Sequence, residues 1–83
     1  MPSDFQMILM SIQGDLNAIM LSSIAANQAL ANMLGVYSDE EYSVDKSKMY
    51  THKWSLALAC LADALEAFQR DAGKLEDYIN GQR

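Results

Sequence analysis

The chain is expected to be all-α: an antiparallel two-helix hairpin that dimerises into a four-helix bundle. Three observations predict it. Apolar residues recur in unbroken steps of three and four over two long stretches. Turn-forming and acidic residues gather in one short segment between those stretches. The single proline, Pro2, stands before both, so no proline interrupts either helix.

The first helix starts at a capping box. Ser3 and Gln6 have the S-x-x-Q spacing in which the side chain of each residue satisfies the other's backbone N–H. The apolar seam then runs Phe5, Leu9, Ile12, Leu16, Ile19, Ser23, Ala26, Leu30, Met33. Gly35 follows Leu34 as a natural C-terminal stop. The helix is therefore expected over about 4–34, roughly 45 Å at 1.5 Å per residue. Ser22, Ser23, Ala25 and Ala26 at its centre are small enough for close helix approach, with Trp54 to Ala57 expected opposite to supply bulk.

Residues 35–43 form the expected connection. Ser38 and Glu41 make a second capping box, and Asp39, Glu40 and Glu41 suit the positive end of a helix dipole. The second helix, expected over about 44–80 with Ser43 or Asp45 as cap, or from as early as Asp39 with the Ser38 box, carries the seam Trp54, Leu58, Leu61, Leu65, Phe68, Ala72, Leu75, Ile79. Asn80-Gly81 marks its end. Gly73, inside it, costs about 1 kcal/mol relative to alanine and marks either a fraying end or a close backbone approach.

One domain, 1–83, is all that this length supports. So short a chain gains stability from disulfides, metals or association. With one cysteine, Cys60, and one histidine, His52, neither an internal disulfide nor a structural zinc site can form, which leaves association. Cys60 is expected as a small buried hydrophobe, and its lone thiol fits a reducing, cytoplasmic setting. The opening MPSDFQ carries an acid where a secretory signal has a basic region.

The net charge of −5 disfavours nucleic acid and anionic lipid as partners. Lys46, Lys48, His52 and Lys53 form a small basic cluster, but four acids precede it, so it reads as solvated surface. The first half is unusual: residues 16–38 contain no charged side chain. A membrane span of that length is disfavoured by Asn17, Ser22, Ser23, Asn27, Gln28 and Asn32, whose polar groups lipid cannot satisfy.

With those seams inward, the outward face of the second helix is charged through Asp63, Glu66, Arg70, Lys74 and Asp77. The outward face of the first holds Met7, Met10, Leu21 and Ile24, with Leu56 of the second helix expected level with Ile24. A second apolar stripe of this kind marks an interface. These five residues are the expected contact surface, either with a second copy or with another protein. Asp39, Glu40, Glu41 and Asp45 are a further, acidic contact candidate.

No catalytic constellation, glycine-rich phosphate loop or di-iron Glu-x-x-His pair is present in the sequence, and no cofactor or metal is expected. The expectation by exclusion is a small non-enzymatic regulator or inhibitor of another protein, of the inhibitor, immunity or antitoxin type. A secretion or assembly chaperone is the first alternative, and a small holin-like membrane-associated protein using the first helix is the second.

Overall fold

The computed structural model describes residues 3–38 and 44–81. They form two helices, α1 (Asp4–Ser38, 35 residues) and α2 (Val44–Gly81, 38 residues), packed against each other as a hairpin with no strand among the described residues. The molecule is a rod, 63 × 20 × 15 Å, with a radius of gyration of 18.5 Å. A compact domain of this length would have a radius of about 12 Å.

The capping box forms as expected. The Ser3 N–H donates to Gln6 Oε1 (2.9 Å), the Gln6 N–H donates to Ser3 Oγ (3.1 Å), and the Met7 N–H closes the first turn on the Ser3 carbonyl (3.0 Å). The C-terminus of α1 differs from expectation. The helix does not stop at Leu34 but continues through Gly35, which takes no left-handed conformation. The next turn brings Val36 into the core. Burying a valine contributes about 1.5 kcal/mol or more, which exceeds the cost of about 1 kcal/mol for glycine in a helix. Gly81 is likewise helical, so α2 ends one residue later than expected. Gly73 marks no close approach, because a Cβ built there meets nothing within 4 Å. The proposed cap at Ser43 lies outside the described residues, as does Glu41, the partner in the Ser38 box; Ser38 itself is the last residue of α1, not the cap of α2, and Asp45 sits in the first turn of α2.

Two contacts set the register. The rings of Phe5 and Tyr78 stack at 5.2 Å, with planes 18° apart. At the other end, the Thr51 hydroxyl donates to the Ser47 carbonyl (2.8 Å) and lies 3.3 Å from the Met33 sulfur. The residues between pair antiparallel. Ser22 to Ala26 therefore lie level with Leu58 to Ala62, and Trp54 lies nearer Ala29 and Leu30.

The buried stripe is rotated from the expected one in both helices. Half of each expected seam is retained, namely Ile12, Ile19, Ala26 and Met33 in α1 and Trp54, Leu61, Phe68 and Leu75 in α2. The other half moves by one residue. Ile8, Asp15, Ser22, Ala29 and Val36 replace Leu9, Leu16, Ser23 and Leu30, while Ala57, Ala64, Asp71 and Tyr78 replace Leu58, Leu65, Ala72 and Ile79. The reason is volume. At the centre of the observed register bulky residues stand near small ones, Trp54 by Ala29, Leu61 by Ser22, Phe68 by Asp15 and Ile19 by Ala64, whereas towards the open end Ile8 meets Leu75 and Phe5 stacks on Tyr78. The leucine stripe would instead set Phe68 against Leu16 and Trp54 against Leu30, and overpacking forces the backbones apart. Small side chains let the axes approach closely enough for the large ones to interdigitate.

Cys60 falls one position outside this stripe and is exposed, not buried, since Ala57, Leu61 and Ala64 occupy the seam around it.

Candidate interaction surfaces

The structure leaves the sequence-predicted contact residues open. Met7, Met10, Leu21 and Ile24 are 55%, 63%, 63% and 51% exposed, and Leu56 is 56% exposed. The first four project from the outer side of α1, because the seam consumes only the stripe facing α2. Leu56 belongs to α2 and lies level with Gln28, about one helical turn beyond Ile24 along the rod. Of the acidic candidates, Asp45 is exposed on the first turn of α2; Asp39, Glu40 and Glu41 lie outside the described residues.

The basic cluster divides over α2. Lys48 and His52 border a shallow groove with Val44, Ser47 and Thr51, while the Lys53 ammonium sits 5.9 Å from the Tyr50 ring centre. At that distance the cation–π attraction of an exposed lysine is weak.

Two acids that sequence reasoning did not single out lie inside the seam. Asp71 is buried on α2 and faces Asp15 of α1. Two adjacent carboxylates cannot both ionise cheaply, and here their surroundings split them. The hydrogen bond with Asp71, followed by burial, holds the Asp15 carboxyl above its ordinary value. The same hydrogen bond holds Asp71 below its own, helped by Lys74 and Arg70. Lys74 Nζ and Arg70 Nε approach Asp71 Oδ1 to 3.7 and 3.9 Å, and both cations are mostly exposed. Asp15 Oδ2 is buried, and no donor reaches it. Ionised, it would be an orphan acceptor. The Asp15 carboxyl carries the proton and donates to Asp71, so one proton serves the pair. The signal for this pair was present in the sequence: Asp15 lies midway between Ile12 and Ile19, and Asp71 between Phe68 and Leu75, at heptad spacing.

Among the described residues no three His, Cys, Asp or Glu side chains converge as a metal site. Residues 4–36 of α1 are long and apolar enough to cross a membrane, and none of their most apolar window is buried against α2. Compared with known protein families, with curated proteins and with solved structures, the chain matches none.

Proposed function

We propose that the chain is a small non-enzymatic protein-binding module, acting in the cytoplasm as a regulator or inhibitor of another protein. The observation that carries this reading is the outer face of α1. Met7, Met10, Leu21 and Ile24 are all more than half exposed, on a helix with no charged residue between Leu16 and Ser38. An unpaired helix face of this composition suits an apolar groove on a partner, and its methionines adapt to the shape of that groove. The same surface serves a secretion or assembly chaperone, whose client would cover it.

Co-purification from the native host tests the reading. The unaltered chain should retain a discrete partner, and Leu21→Glu and Ile24→Glu should lose it. Both positions are already solvent-facing, so each change should cost the hairpin less than about 0.5 kcal/mol. Retention of the partner by both variants, or no partner at all, would refute it.

The length and apolarity of α1 favour a second reading, in which that helix enters a membrane. Flotation with phosphatidylcholine vesicles separates the two: a clear, monodisperse solution without detergent and no flotation exclude the membrane role.

A further inference from the structure

The stripe of leucines displaced from the seam is not scattered. Leu9, Leu16 and Leu30 of α1 and Leu58, Leu65 and Ile79 of α2 all occupy the same heptad position, one step beyond the buried stripe. Two antiparallel helices are related by a pseudo-two-fold axis normal to the plane containing them. Equal heptad positions therefore emerge on the same side of the hairpin. The observed register interleaves them, in the order Ile79, Leu9, Leu16, Leu65, Leu58, Leu30 along the rod. The row spans about 38 Å at 1.5 Å per residue. Each of the six is between 42% and 51% exposed, and Ser23 and Ala72 at the intervening places, with Thr51 just beyond Leu30, carry no charge.

We infer that this side face is the dimer interface, covered by the same face of a second copy of the chain to close a four-helix bundle. The exposed area supports that occupant. The hairpin exposes 6384 Å², while a compact monomer of its 9.2 kDa mass would expose about 4,900 Å². The excess is about 1,500 Å² per chain, against the roughly 800 Å² that each partner of a standard stable complex buries. Among the described residues no large side chain is fully buried, so the core of the hairpin alone is incomplete. The pattern of the helices agrees. A lone pair of helices needs two apolar positions in seven, and these helices carry three, the pattern of a bundle with a second layer. The face has no charge to select a different partner, and a two-fold axis lying in it sets leucines against leucines, as an isologous interface requires.

The inference moves the dimer contact away from Leu21 and Ile24 and leaves those residues free for another protein. It stands whether or not such a protein exists. Sedimentation equilibrium reads it directly. The unaltered chain should sediment at about 18 kDa, twice its 9.2 kDa mass. Leu16→Glu and Leu65→Glu should halve that mass, and Leu21→Glu should leave it unchanged. A monomeric parent overturns the inference, as does a dimer that survives both side-face changes or is dissociated by Leu21→Glu. Should the glutamate variants unfold, thiol labelling decides. On a Cys60→Ser background, Ser23→Cys on the side face should react roughly tenfold or more slowly than Ala31→Cys on the outer face, since the buried thiol reacts only on opening. Equal rates overturn the inference.

Discussion

The two helices bury equivalent stripes but turn opposite outer surfaces to their surroundings. In α2 the outward positions are Asp63, Glu66, Arg70 and Asp77, which water solvates at little cost, and Glu66 and Arg70 have the favourable i, i+4 order. In α1 the outward positions are Met7, Met10, Leu21 and Ile24. The hairpin contact accounts for the inner faces of both helices and for the charged outer face of α2, but not for the apolar outer face of α1, which on the proposed reading is a contact surface.

If the inner faces are equivalent, equivalent truncations should cost alike. Ile19→Ala and Leu61→Ala each remove one bulky, partly buried residue from opposite sides of the seam. Each should destabilise the chain by about 2–3 kcal/mol, below the top of the range for fully buried sites. Urea unfolding of the two variants measures it. A large loss in one and none in the other would show that one helix carries the core alone.

The next effect concerns the seam's polar exception. The folded chain holds the Asp15 proton more tightly than the unfolded chain, so this residue costs stability as pH rises through its raised value. Asp71, held below its ordinary value, contributes stability above that range and loses it as pH falls through its lowered value. Stability should therefore peak between the two values, where one proton is shared, and decline on either side. Asp15→Asn keeps a donor toward Asp71 without a proton to lose. Its melting temperature should exceed that of the parent at neutral and alkaline pH, by a few degrees, and converge with it where the parent pair is singly protonated. Thermal melts across pH test this, and parallel profiles for the two proteins would show that no proton is shared.

The smallest effects probe backbone alone. A Cβ at Gly14 of α1 or Gly73 of α2 meets nothing within 4 Å, and neither glycine has a positive φ. Gly14→Ala and Gly73→Ala should each stabilise the chain by up to about 1 kcal/mol through helix propensity and a less disordered unfolded state. Melting curves would show the gain, and a loss at Gly14 alone would mean that another molecule approaches α1 there.

Much of this was legible in the sequence because it is local. The three-four spacing defined two helices, the Ser3–Gln6 box set the start of α1, and the turn residues marked a break between the helices while leaving the start of α2 open between Asp39 and Val44. The end of α1 was less legible, since a glycine signals a stop only where no buried residue such as Val36 follows to draw the helix onward. The exposure of Met7, Met10, Leu21 and Ile24 was legible too, because those positions face outward with either choice of seam.

Which stripe turns inward was decided by the tertiary structure. Each helix has three apolar columns in seven, and either adjacent choice gives the same alternation of three and four. Periodicity cannot separate them; the volumes of facing residues can. Pairing Trp54 with Ala29 and Phe68 with Asp15 brings the helices together at the cost of two acids in the seam and a row of leucines on the side. By itself the sequence determined that both helices form, and that they hold more apolar surface than one hairpin can cover. Only packing fixed where that surplus lies, because the fit between side chains exists only once two helices face each other.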